Sequence, residues 1–328
     1  MYVTSVHLSI EEHRISNYLQ MKQTIHVQKL GVYKGHNDSI YALESGVSES
    51  VFYTSGADGM VVAWDLNKPD EGKLVAKLPN SVYALCFVAE THELFIGHNY
   101  EGIHVVDTHT NIEKKSAQIT KSAIFDIKKY QDWLLVATGD GCLIVLEARD
   151  LSVIAKLKIT DASIRMIAIH PNKKQLAIGS SDHLVRIIDL PSLRITHTLK
   201  GHTNSVFTVR YSPDGEVLLS AGRDAHIMAW DMQTYTPLHS IAAHMYAINY
   251  IAYSASGKYF VTASMDKSIK IWDATQFKLL KVIDKSRHAG HGTSVNKVLW
   301  TAFNHAIISV SDDRTISVWN VDVPHGII

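Results

Sequence analysis

Apolar and polar residues alternate at every second position in short runs that recur along the chain. "VFYTSGAD" (51–58), "VLLSAGRD" (217–224) and "YFVTASMD" (259–266) are rich in β-branched and aromatic side chains, as half-buried strands require. A second alternating run, such as "SIKIWD" (268–273), follows each after a tight turn. "SPDGE" (212–216) and "SASGK" (254–258) carry Gly and Asp where hairpin turns ask for them. The pattern predicts units of four short antiparallel strands. No apolar stretch approaches the length of a membrane span.

The units repeat with a spacing that does not drift. Asp58, Asp224, Asp266 and Asp313 each stand six residues before a Trp: Trp64, Trp230, Trp272 and Trp319. Twenty-two residues before each Asp is a His: His36, His202, His244 and His291. Three of the four are in Gly-His pairs, and four residues before each Asp is a hydroxyl: Thr54, Ser220, Thr262 and Ser309. Three further units lie between the first and the fifth. They keep the turn and the strand but put Val106, Leu146 and Ile188 at the Trp position and Ile96, Val136 and Ile178 at the hydroxyl position. They also lack the Gly-His, and Tyr100 replaces the Asp in the first of them. The Trp position thus falls at 64, 106, 146, 188, 230, 272 and 319, which makes seven units.

In these residues the chain resembles the Trp-Asp (WD) repeat proteins, over residues 24–323. The resemblance implies an all-β fold: a seven-bladed β-propeller of four-stranded antiparallel blades around a channel. Blades one, five, six and seven carry the full motif; blades two to four match it in pattern alone. It also implies a hydrogen-bonded chain inside each full blade. Trp64 would reach Thr54, Thr54 would reach His36, and the other ring nitrogen would face Asp58, with the same roles in blades five, six and seven. A buried indole or imidazole without a partner costs about 1–3 kcal/mol, so a complete network is favoured over a partial one. The combined loss of Trp, His and hydroxyl in blades two to four agrees with that reasoning. A Ser-His-Asp nucleophilic triad is the rival reading of the same residues. It would need an exposed hydroxyl, and four copies of one site would be redundant.

The segment "TIHVQKLGVY" (24–33) aligns with "LRITHTL", the strand that precedes the Gly-His of blade five. It is therefore expected to complete blade seven from the N-terminal end and remove an exposed edge. Residues 1–23 and 324–328 are expected to be tails outside the ring, with either a loose N-terminal segment or a natural start at Met21.

Function is expected on the top face, beside the Gly-His loops, where the family commonly holds partner peptides. Carried over by position, the residues five after the His are Tyr41, Phe207, Asn249 and Asn296, and pattern alignment puts Tyr83, Phe125 and Arg165 at the same place in blades two to four. Those one before the Asp include Arg223, Met265 and Asp312. Four aromatics with two arginines have the composition of an interface hot spot, although aromatics at a channel rim also serve as a plug. The arginines suit an acidic or phosphorylated segment.

Composition narrows the partners. Lys plus Arg equals Asp plus Glu at 32 each, so no basic footprint for nucleic acid or an anionic membrane is indicated. Cys86 and Cys142 are too few for a disulfide framework, and Glu11, Glu12 and Arg14 interrupt any signal-peptide run. A reducing compartment, most simply the cytoplasm, is expected. His98, His104 and His109 cluster in blade two without an accompanying carboxylate or Cys set, so no metal is expected. Gly-rich phosphate loops are absent, and no cofactor is expected. The chain is read as a non-enzymatic interaction scaffold, a monomer by itself, binding a protein or peptide. The rivals are an obligate subunit bound through blade sides and a metal-dependent propeller hydrolase.

Overall fold

In the computed structural model, residues 25–322 are described, and within them seven four-stranded antiparallel sheets succeed one another around a ring. The expected tails, with Thr24 and Val323, lie outside the described residues. Blade one comprises Ile40–Ser45, Val51–Gly56, Met60–Asp65 and Lys68–Lys77. Blades two to six follow in the same order, from Val82–Val88 through Leu279–Ile283. Blade seven takes Val295–Trp300, Ile307–Ser311 and Thr315–Asp322 from the end of the chain. Its fourth strand is His26–Lys34, paired antiparallel from His26 with Asp322 to Lys34 with Thr315. The innermost strands touch in sequence, and that of blade seven returns to that of blade one, so the ring is closed. The longer step before Trp319 is taken up by the short helix Lys285–His288, whose N-cap Asp284 accepts the Arg287 N–H. The carbonyl of Ala289 just beyond it accepts a hydrogen bond from Lys29 of the N-terminal strand.

The expectation of half-buried second strands is corrected by the packing. Glu93–His98, Gln175–Ser180 and Tyr259–Ser264 are buried at every position, and Val51–Gly56 at all but the first. Blades stack face to face, so a second strand is covered by a neighbouring sheet on each side. Alternation survives in the innermost strands, one side of which faces the channel. The fourth strands are largely exposed, as Arg194–Leu199 illustrates.

Candidate partner-binding face

The top end of the channel is built by one backbone device used seven times. The pairing of first and second strands skips one residue in every blade, with shifts at 40/42, 82/84, 124/126, 164/166, 206/208, 248/250 and 295/297. The residues in the gaps are Tyr41, Tyr83, Phe125, Arg165, Phe207, Asn249 and Asn296. A β-bulge leaves one residue out of the ladder and re-aims its side chain. Here all seven side chains line a single cavity of about 270 Å³. Asp126, Met166, Tyr250 and Lys297 line it as well, and these four were not singled out from the sequence.

Around the mouth the side chains form an arc of tilted rings. Ring centroids of Tyr41 and Tyr83 are 4.8 Å apart, and those of Tyr83 and Phe125 are 5.6 Å apart. The guanidinium of Arg165 lies 4.0 Å from the Phe125 ring centre and 5.0 Å from that of Phe207, a cation held between two aromatic faces. Burial pushes Arg165 below the usual arginine value. The remaining bulge residues are engaged with the fold. Asn249 donates to Ser294 Oγ and to the Val295 carbonyl, each at 2.9 Å, and so ties blade six to blade seven. Asn296 donates to the Ile40 carbonyl at 2.9 Å and to Asp312 at 2.7 Å, which ties blade seven to blade one. Asn249 and Asn296 therefore act as braces across blade boundaries, and Asp312 holds Asn296 in place within blade seven. Arg223 and Met265 stand exposed on the rim, outside the cavity lining.

Deeper in the channel are charges that the repeat pattern did not mark. Lys128 lies 3.2 Å from Asp126. Burial works against its ammonium, but Asp126, Tyr250 and Glu44 outweigh that and raise Lys128 above the usual lysine range. Burial raises the Glu44 carboxyl, opposed by Lys128 and Lys297. Arg210 donates to the Tyr250 hydroxyl at 2.7 Å. Cys86 and Cys142 are free buried thiols, and burial pushes Cys86 up to about 12.

Behind the mouth, four blades contain a continuous polar chain. In blade five, Trp230 Nε1 donates to Ser220 Oγ at 2.8 Å, and His202 lies 2.7 Å from Ser220 and 2.8 Å from Asp224. The corresponding distances are 2.8, 2.8 and 3.0 Å for Trp64, Thr54, His36 and Asp58. They are 3.0, 2.7 and 2.8 Å in blade six, from Trp272 through Thr262 and His244 to Asp266. In blade seven, from Trp319 through Ser309 and His291 to Asp313, they are 2.9, 2.8 and 2.9 Å. An ionised Asp can only accept, so Nδ1 donates to it, Nε2 accepts from the hydroxyl, and the hydroxyl accepts from the indole. Each hydroxyl is buried and fully used, which leaves no nucleophile for a substrate. Each Asp also accepts the N–H of the residue after the His, such as Thr203 at 3.0 Å, so the chain pins the Gly-His loop to the turn.

Blade four holds a variant of this chain. Thr160, at the His position, donates to Asp182 at 2.6 Å, Ser180 donates at 2.7 Å and Arg186 at 2.6 Å. Burial would raise the Asp182 carboxyl, but these bonds hold it well below the usual carboxylate range. A Thr 22 residues before Asp182 was the available signal. In blade two the absence of a carboxylate beside the histidines is corrected: Glu101 converges with His98 and His104, while the His109 ring lies tilted against His92 with centroids 4.1 Å apart. His98 Nε2 accepts the Asn80 N–H at 3.0 Å, so Nδ1 carries the proton and faces Glu101 at 3.3 Å. A protonated Nδ1 is not a metal ligand, and the convergent set is reduced to His104 and Glu101.

The family model for the WD domain, G-beta repeat, matches residues 27–65, 152–189, 193–231, 235–273 and 282–320, more than half of the chain. The chain belongs to this family. The matched WD repeats are those of blades one and four to seven, so blade four, with its Thr160–Asp182 pair, stands nearer the family pattern than its aliphatic core suggests. An uncharacterised WD repeat-containing protein of Schizosaccharomyces pombe is 27% identical over 153 residues, 45% of this chain and 24% of that protein. The chain spans about a quarter of that relative's length. Among solved structures, the WD40 beta propeller domain of Doa1 superposes with a TM-score of 0.79 at 18% identity, covering 90% of this chain and 96% of that one. That likeness concerns the fold. WD propellers generally serve as protein-interaction scaffolds and are usually not enzymes.

Proposed function

We propose that this WD propeller is a non-enzymatic scaffold that holds a peptide segment of a partner protein over the channel mouth. The observation that carries the reading is the bulge-built arc of Tyr41, Tyr83, Phe125 and Phe207 around Arg165, all partly exposed on one cavity. Rigid aromatic side chains already in place limit the ordering cost of binding, so a short segment suffices. Arg165 favours an acidic or phosphorylated residue in that segment. The two buried thiols suit a reducing compartment, for which we propose the cytoplasm.

The test is affinity purification with the native protein and with Tyr41→Ala, Tyr83→Ala and Phe207→Ala combined. The triple variant is expected to lose its partners while its melting temperature stays within a few degrees. Retention of every partner by a folded variant would refute the reading and favour docking through blade sides. Ile112, Val153, Ile195 and Leu238 are exposed there on the fourth strands.

A further inference from the structure

An arginine without a counter-charge at the mouth identifies what the partner segment must carry. Arg165 makes ring contacts but, among the described residues, no hydrogen bond and no ion pair. Below it, Glu44 and Asp126 face three cations, Lys128, Arg210 and Lys297, and Asp126 is already engaged by Lys128 and the Ile167 N–H. Arg210 leaves its buried Nε without a partner. On the rim above blade five, Arg223 is exposed. Blades seven and one carry Asp312, already bonded to Asn296, and the exposed Asp38, together with Lys297 and the exposed Arg314. Arg165, with no counter-charge among the described residues, is therefore the group at the mouth that draws an anionic side chain.

Blade six adds a second feature. Met245 is 83% exposed, Tyr246 61% and Met265 50%. They lie together because Met265 N–H bonds the Ala247 carbonyl and Met245 N–H bonds Asp266. The same loop positions are Asn37 and Asp38 in blade one, Thr203 and Asn204 in blade five, and Gly292 and Thr293 in blade seven. None of the hydrogen bonds tying the blade-six loop to its turn uses the side chain of Met245, Tyr246 or Met265, so the fold does not call for these apolar side chains. An exposed apolar cluster beside a polar rim marks an interaction surface.

Resting on the peptide-binding reading above, we propose that the partner segment is extended and bipartite. A carboxylate side chain pairs with Arg165 at the mouth, and a large apolar side chain packs on Met245, Tyr246 and Met265. A guanidinium held between two rings offers its planar edge, which matches the two oxygens of a carboxylate. Facing sheets lie about 10 Å apart and an extended chain advances about 3.3 Å per residue. Blades four and six are two blade steps apart, which separates the two side chains by roughly six residues.

Selection of random twelve-residue peptides displayed on phage, using the full chain as bait, tests this. The expected binders carry Asp or Glu roughly six residues from Leu, Ile, Phe or Met. Synthetic binders should lose affinity roughly tenfold on Arg165→Gln or on replacement of the peptide's acid by its amide, and the two changes should not add. Met245→Ser with Met265→Ser should remove the apolar preference and keep the acidic one. The peptide-side change reads the same pairing on an unaltered protein, whatever Arg165→Gln does to folding. Binders without acidic enrichment, or no binder at all, overturn the proposal. So does a phosphoserine peptide binding tenfold tighter than its Asp counterpart. Loss of acid-free binders on Tyr41→Ser with Tyr83→Ser would keep the mouth as the binding face while rejecting the bipartite motif. Binders indifferent to every top-face change would reject both.

Discussion

In blade five, the position four residues before the turn Asp holds Ser220, bonded by Trp230 on one side and His202 on the other. The same position in blade three holds Val136, packed in one apolar cluster with Leu134, Ile144 and Leu146. Both positions are fully buried, and both blades have the same four strands. The sheet stack therefore tolerates either filling, provided that it is consistent. An aliphatic core has no polar group to satisfy, and a polar chain is stable when every donor finds its acceptor. The difference lies in the loops. The polar chain fastens the Gly-His loop to the Asp turn, whereas Gln118, at the His position of blade three, donates to the Tyr100 carbonyl of blade two.

Removal of one heavy atom at that position gives the widest separation between the two kinds of blade. Ser220→Ala strands the indole N–H and the imidazole Nε2, at about 1–3 kcal/mol for each. Ile178→Val, at the matching position in blade four, should cost about 0.5–1.5 kcal/mol. Urea titrations should show the larger midpoint shift for Ser220→Ala, and equal shifts would remove the distinction. A smaller effect is expected in pairwise coupling. Trp230→Phe and His202→Ala share Ser220, so their double mutant should depart from additivity by about 0.5–3 kcal/mol. Ile188→Val and Thr160→Ala share no such hydroxyl and should add within about 0.5 kcal/mol. Coupling of the same size in both cycles would mean that the hydroxyl is not the link.

The smallest effect is in pH dependence, and its sign follows from the shifts. Burial holds the His36 and His244 rings below the usual histidine value, against the pull of Asp58 and Asp266. The unfolded chain therefore binds protons that the fold refuses, and stability is lost as pH falls through about 6.5. Asp224, Asp266 and Asp313 lie below the usual carboxylate value because bonds from His202, His244 and His291 outweigh burial. Their contribution is present above the unfolded Asp value of about 4 and is lost progressively below it. Asp182 of blade four shares the acidic step but, lacking a His, not the upper one. Replacing His36 and His244 by Gln should reduce the loss of stability between pH 7 and about 5.5 and leave the acidic step in place. His98, His170 and His288, likewise lowered by burial, also contribute to that loss. Persistence of the full upper step would assign it to those other histidines.

The number of blades was legible because the motif spacing is local, with Asp58 and Trp64 in one hairpin and His36 two strands earlier in the same blade. The closing strand was legible because His26–Lys34 has the same pattern as the fourth strands of other blades. The complete burial of Glu93–His98 was not, since alternation along one strand says nothing about a sheet stacked on its other face. Asp126, Lys128, Arg210 and Lys297 were missed for a related reason. Each is an ordinary polar residue in its own strand, and only the ring brings them to a common axis. Glu101 was missed because its neighbours in sequence are turn residues, and its approach to His98 depends on how that turn folds back.

By itself, the sequence determined the repeat, the strand order within each unit and the identity of the polar chains, because these depend on residues that meet within a single sheet. The tertiary structure decided that Asp126, Lys128, Arg210 and Lys297 meet in the channel, and that Asn249 and Asn296 are braces while Arg165 meets no acid among the described residues. Those outcomes depend on the bulge in each innermost strand and on contacts across blade boundaries. Such contacts join positions about 40 residues apart or at opposite ends of the chain, a separation that no local pattern of apolar and polar residues encodes.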